Sequence, residues 1–393
     1  MNVRFADRMN GIKSSIIREL LKLTEDASII SFAGGLPAPE LFPIEELQKV
    51  CVKVLQEEGR SALQYSATEG YKPLREKIAE RMTHQGMKVA ADDVLITSGS
   101  QQGLEFSGRI FLNEGDIVIC ESPSYLGALN AFNVYRPKFV EISMDEDGMI
   151  IDDLDKALEE NHEKTKFIYV IPEFQNPTGR TMSLERRKRI IELANKYDIP
   201  IVEDNPYGEL RFEGEVIPTI KSMDTKGLVI HLGTFSKIFC PGYRLGWVVA
   251  NPEILSKYIT VKQGADLQSS TISQREVNRY MEMYSLDEHV EKIKALYRKR
   301  KNLMVQTMKE EFPKTVTFTN PQGGLFTWLE LPVGVDAAEV FKLAIAQKVA
   351  FVPGEPFYPN GGHANHARLN YSSMPEDKIV EGIKRLGKVL KNL

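Results

Sequence analysis

Apolar positions along the chain follow two rhythms. Short apolar runs of strand length fall at residues 94–97, 116–120, 138–142, 167–171, 199–203, 229–232 and 246–249. Between several of them, as at 101–112 and 184–197, apolar side chains recur every three or four residues and so share one helix face. Apolar strands alternating with amphipathic helices predict an α/β fold, with a central, mostly parallel sheet covered by helices on both faces. Such sheets bind ligands beyond the C-terminal ends of their strands, which directs attention to the polar residues after each run.

The flanks read differently. Residues 14–23, SSIIRELLKL, predict a short amphipathic helix. It leads to SFAGGLPAPELFP at 31–43, where Gly and Pro either turn the chain or bring backbone close to a ligand. Helices are expected at 45–58 and 71–82, and a long helical stretch at 269–311 leads out of the sheet. Beyond it, TFTNPQGGLFTWLEL predicts a hairpin-like strand pair, a helix begins at Asp336, and VAFVPGEPF and ARLNYSS predict further short strands. A helix at 375–390 closes the chain. The expected architecture is a large domain at 48–294 and a smaller α+β domain formed by both chain ends, 1–47 and 295–393.

Composition narrows the function classes. With 54 acidic against 50 basic residues and a net charge of -4, the chain lacks the positive field that draws nucleic acid or anionic membranes. The basic clusters at 186–189 and 298–301 are expected on solvated helix faces. Three scattered cysteines, Cys51, Cys120 and Cys240, form neither a disulfide framework nor a metal knuckle. His363 and His366 lie in a polar loop without further soft ligands, so no metal site is expected. The absence of a signal-like start or a long apolar segment predicts a cytoplasmic protein with no membrane partner.

Four strand-end motifs carry candidate chemistry. Lys237, in GTFSK after the run at 229–232, either is a solvated loop lysine or can form a Schiff base with an aldehyde. Ser236 and Arg244 can bind an anion beside it. Asp204 and Tyr207, in VEDNPY, follow a buried-looking strand; the carboxylate either caps backbone or keeps a pyridine nitrogen protonated. Asn176, in NPTG, either stabilises its turn or donates to a phenolate. TSGSQQG places Ser100 and Gln101 at a helix start, whose free amides suit a phosphate. There is no GxGxxG turn after the first strand, which argues against a nucleotide-binding dehydrogenase.

Taken together and in order, SGSQQG, NPTG, DNPY, SK with PGYRLGW, and RLNYS resemble the fold-type I aminotransferases of class I and II over nearly the whole chain. The loop SFAGGLPAPELFP and QYSATEGYKPLR are most similar to the branch acting on 2-aminoadipate, kynurenine and branched or aromatic amino acids. The resemblance implies an aspartate-aminotransferase-like fold, pyridoxal 5'-phosphate as cofactor, and ping-pong transfer of an amino group to 2-oxoglutarate. A lyase or decarboxylase on the same scaffold is the alternative. Relatives that regulate transcription carry a winged DNA-binding domain ahead of this body, and the stretch before Ser31 is too short for one.

By motif, the resemblance makes Lys237 the cofactor lysine and proton shuttle. Asp204 would pair with the ring nitrogen, Asn176 and Tyr207 with the ring oxygen, and Tyr125 would stack on the ring. Ser100, Gln101, Ser236 and Arg244 would hold the phosphate, joined by Tyr65 of a neighbouring subunit in a homodimer. Arg368 would clamp the substrate carboxylate, helped by Asn176 and the Gly35 backbone. Arg18, on the first expected helix, would recognise an acidic side chain.

Overall fold

Uninterrupted apolar strands lose their exposed surface only when both faces of their sheet are covered. The computed structural model, which describes residues 3–11, 26 and 28–393, shows this arrangement. After the short strand β1 (Ile30–Ser31) come β2 (Val94–Thr97), β3 (Ile117–Ser122), β4 (Lys138–Asp145), β5 (Gly148–Met149), β6 (Thr165–Val170), β7 (Ile201–Asp204), β8 (Val229–Thr234) and β9 (Gly246–Val249). The last eight form one sheet in the order β2-β9-β8-β7-β6-β3-β4-β5. Strands β4, β3, β6, β7 and β8 run parallel, whereas β9 runs against both of its neighbours, β8 and β2.

The remaining strands are β10 (Thr317–Phe318), β11 (Phe326–Glu330), β12 (Val349–Ala350), β13 (Val352–Pro353) and β14 (His366–Asn370). A second sheet has the order β10-β11-β14-β13, and β1 pairs with β12. Phe32 extends this join, its N–H donating to Ala350 (2.8 Å) and its carbonyl accepting from Asn370 (2.8 Å). The loop before helix Ile44–Ala62 is thereby fixed against the C-terminal strands.

Two expectations need correction. The helical stretch expected at 269–311 is two helices, Thr271–Met283 and Leu286–Glu311, because the Ser285 side chain accepts from the Glu288 N–H and caps a new start. The basic clusters are not wholly solvated. Arg187 is fully buried against Glu173, which also meets Arg211. Arg300 and Lys301 are buried as well and pair with Glu40 and Glu213. Arg187 shares its helix face with Ile190, Ile191 and Ala194, and a buried charge on such a face is retained only when paired. The expected helix at 14–23, with Arg18, lies outside the described residues.

Candidate active site

The C-terminal ends of β2, β3, β6, β7 and β8 emerge at one sheet edge. Because β9 is antiparallel, its first residue, Gly246, stands opposite both Thr97 and Thr234, the last residues of β2 and β8. Arg244, two residues before β9, therefore arrives at this edge beside Ser100 and Ser236. A cavity of about 260 Å³ opens there. Ser100, Gln101, Tyr125, Asn176, Asp204, Tyr207, Ser236, Lys237 and Arg244 line it from the sheet, and Gly35, Phe326 and Arg368 from the segments joined at the chain ends.

At the centre, Lys237 Nζ donates to the Gly35 carbonyl at 2.8 Å. Burial, reinforced by the Arg368 and Arg244 charges, lowers its ammonium to about 8. Such an amine is available as nucleophile or base near neutral pH. Opposite it, Asp204 is buried at the end of β7, with Oδ2 accepting from the Tyr169 hydroxyl (3.0 Å) and Oδ1 lacking any donor. Burial raises this carboxyl to about 7, against the Tyr169 hydrogen bond and the His231 charge. Asn176 Nδ2 approaches the Tyr207 hydroxyl at 3.5 Å, and burial pushes Tyr207 far up, so that it stays a hydrogen-bond donor.

The anion end depends on two close approaches. Gly99 sits at φ +81°, and a Cβ there would lie 2.6 Å from Arg244 Nη2. A Cβ on Gly246 would lie 2.6 Å from the Ser100 amide. Only glycine at both positions lets β9 and Arg244 close on the start of helix Ser100–Phe111, which no side chain caps. Gln101 Nε2 donates to the Gly127 carbonyl (2.8 Å), and the Tyr125 hydroxyl reaches Gln101 Oε1 at 3.5 Å.

At the other end, Arg368 is held on β14. Its Nη1 donates to Asn176 Oδ1 and its Nη2 to the Ala33 carbonyl, both at 2.8 Å, while Nε has no partner. The guanidinium lies 4.3 Å from the Phe326 ring centre and 5.2 Å from that of Phe357. Burial lowers its pKa to about 10, which still leaves it charged at neutral pH. A buried cation that lines the cavity and keeps N–H donors beyond those used by Asn176 and Ala33 suits an incoming carboxylate.

Sequence reasoning missed Tyr169, Phe326, Phe357 and the Ala33 carbonyl. The hairpin pattern held part of the signal: Trp328 pairs with Arg368 and Phe326 with Asn370, so Phe326 stands diagonally beside the arginine on one sheet face. Tyr65, by contrast, is 78% exposed and does not line the cavity of its own chain.

The residues fit pyridoxal phosphate. A ring nitrogen that carries a proton answers the free Asp204 Oδ1, a phosphate answers the uncapped helix start with Arg244, and an aldehyde answers Lys237.

Comparisons with known proteins agree. The family described as aminotransferase class I and II matches residues 39–386. An aromatic-amino-acid aminotransferase of Thermococcus litoralis is 47% identical, covering 98% of this chain and 94% of that one. The crystal structure of a Pyrococcus horikoshii kynurenine aminotransferase, in complex with PMP, superposes with a TM-score of 0.95 at 44% identity, covering 99% and 97%. The alpha-aminoadipate aminotransferase LysN of Thermus thermophilus, complexed with N-(5'-phosphopyridoxyl)-L-leucine, superposes at 0.93 with 42% identity over the same shares. The chain belongs to the class I and II aminotransferases and is a pyridoxal-phosphate-dependent transaminase of amino acids and 2-oxo acids.

Proposed function

We propose that this transaminase accepts aromatic amino acids, kynurenine, 2-aminoadipate, leucine and glutamate as donors, and 2-oxoglutarate as acceptor. The reading is carried by the convergence of Lys237, the free Asp204 Oδ1 and the oriented Arg368 on one cavity. Its apolar wall, Phe326 with Ile171, suits the uncharged side chains among these donors.

In the proposed roles, Arg368 binds the substrate carboxylate while Asn176 and the Ala33 carbonyl fix the guanidinium plane. Lys237 Nζ takes the proton from the substrate α carbon and returns it to a neighbouring carbon. The Gly35 carbonyl holds this amine between transfers. Asp204 keeps the ring nitrogen protonated, held in place by Tyr169. Asn176 and Tyr207 donate to the ring oxygen, Tyr125 covers the ring face, and Ser100, Gln101, Ser236 and Arg244 take the phosphate. When bound, pyridoxal phosphate supplies an aldehyde and a ring that stores the electron pair freed at the α carbon.

Donor preference is tested by adding single amino acids to the holoenzyme without any oxo acid and following its absorbance. Stoichiometric pyridoxamine phosphate with each proposed donor supports the reading; loss of the cofactor band without it defeats it. A second check uses pH. Since Lys237 must shed a proton before it captures an aldehyde, the rate at which the apoprotein takes up pyridoxal phosphate should rise through about pH 8 and level off above it. A flat profile from pH 6 to 10 would remove Lys237 from that role.

The homodimer belongs to the same proposal. Tyr65 and Leu63 are exposed, as are Ile44, Val52 and Leu55 on the adjoining helix, an apolar face that a second copy would cover while bringing Tyr65 to its phosphate. The division into a large domain at 48–294 and a small one from 1–47 and 295–393 is supported by the pairing of β1 with β12. Three unpaired cysteines support the cytoplasmic reading. Arg18 is proposed to recognise acidic side chains, so Arg18→Ala should lower the preference for 2-aminoadipate over leucine. An unchanged ratio would rule it out.

A further inference from the structure

Behind the anion end lies a polar cluster whose residues do not line the cavity. Lys262, in the last turn of helix Pro252–Ala265, has a fully buried side chain. Its ammonium donates to Gln102 Oε1 (2.9 Å), to Asp266 (2.9 and 3.0 Å) and to Ser269 Oγ (3.0 Å). Those groups converge on Ser98. Gln102 Oε1 accepts from the Ser98 N–H (2.9 Å), Asp266 Oδ2 from its hydroxyl (2.9 Å) and from Gln102 Nε2 (2.8 Å), and Ser269 Oγ shares a hydrogen bond with Ser98 Oγ (3.0 Å).

Ser98 is the hinge of the phosphate end. Its carbonyl faces Arg244 Nη2 (3.5 Å), and the residues that follow it, Gly99 and Ser100, begin the uncapped helix. The same cluster reaches the segment that presents Tyr65. Gln268 accepts from the Ser66 N–H, Thr271 donates to the Ala62 carbonyl (2.7 Å), and Gln274 spans Ser269 and the Tyr71 N–H (2.9 and 2.7 Å). A core position filled for packing alone is better served by an apolar side chain, because a buried ammonium is tolerated only with full hydrogen bonding.

We propose that Lys262 is the positioning residue of the phosphate end: by fixing Gln102, Asp266 and Ser269 it holds Ser98, and through it the free amides and Arg244, in the arrangement that receives the cofactor phosphate. The inference rests on the proposed reading of this end as the phosphate site. Lys262 thereby also ties a chain's own phosphate end to the Tyr65 segment offered to its partner.

The test titrates the full chain, freed of cofactor, with pyridoxal phosphate and with pyridoxal, which shares the aldehyde and ring but lacks the phosphate. Wild type should bind pyridoxal phosphate far more tightly. Lys262→Met should shrink that ratio roughly tenfold to a hundredfold and leave pyridoxal affinity unchanged, the range for losing hydrogen bonds to a charged group. Equal weakening of both ligands marks a general packing defect and overturns the inference, as does an unchanged ratio. Should Lys262→Met not fold, Ser98→Ala decides by the same ratio, since it removes the hydroxyl links to Asp266 and Ser269 while Lys262 keeps its partners. A wild type that does not discriminate between the two ligands defeats the phosphate reading itself, an outcome separate from an unresponsive variant.

Discussion

Arg244 and Arg368 face one cavity from opposite ends and are held in opposite ways. Arg244 is exposed, follows a short turn with φ at +52°, and meets the carbonyls of Pro241 and Ser98 at 3.4 and 3.5 Å. Arg368 is 2% exposed, sits in a strand, makes two hydrogen bonds of 2.8 Å and lies over two aromatic rings. The contrast matches the lifetimes of their proposed ligands. A resident phosphate with nearly two charges, also bound by a helix start, orders a solvated arginine on arrival. A singly charged carboxylate that exchanges every half-reaction gains more from a guanidinium already oriented, because little side-chain entropy remains to be lost.

The largest effect should come from removing the preorganised arginine. Arg368→Ala is expected to lower kcat/KM for every amino donor by roughly a hundredfold or more, the range of about 3 kcal/mol or above for a buried charge partner. Arg368→Lys should recover only part of this, since an ammonium keeps charge without the fork. Neither variant should change cofactor affinity by more than a few-fold. Half-reaction rates across amino acid concentrations, beside a cofactor titration, measure both. A large loss of cofactor affinity in Arg368→Ala would break the division of labour.

The exposed arginine predicts a smaller and different defect. Arg244→Ala should weaken pyridoxal phosphate by about tenfold, as expected for one charge-assisted contact of roughly 1.5 kcal/mol. It should leave the KM for amino acids unchanged once cofactor saturates. Added salt sharpens the comparison: a solvated charge is screened more than a buried one, so cofactor affinity should fall with ionic strength in wild type more than in Arg244→Ala. Parallel salt curves would put Arg244 outside the phosphate site.

How legible each end was in the sequence follows from where its parts lie. The proposed phosphate end is built from chain-local groups, Ser100 and Gln101 at a helix start and Ser236 with Arg244 around a turn, so short motifs could name residues that line the cavity there. The strands β2 and β9 and the helix Leu184–Tyr197 were readable to the residue for the same reason. The surroundings of Arg368 come from Ala33, Asn176, Phe326 and Phe357, brought together by long-range pairing, and no local spacing announces them. Arg187 and Lys301 hid likewise: their helices look solvated until Glu173 and Glu213 arrive from other segments.

The smallest prediction probes what the aromatic floor adds to the oriented arginine. Phe326 stands under the Arg368 guanidinium and edge-on to Tyr207, with ring centres 6.0 Å apart. Phe326→Leu keeps an apolar side chain there and removes the ring's attraction for the cation, about 0.5 to 2 kcal/mol depending on how dry the site is. If the ring serves mainly to hold the guanidinium plane, KM for donors such as leucine should rise a few-fold to about tenfold, with kcat nearly unchanged. If Phe326 acts instead through Tyr207, kcat should fall while KM stays. The second pattern would move Phe326 from the carboxylate end to the cofactor ring, leaving the two hydrogen bonds and the Phe357 ring as the basis of the preorganisation of Arg368.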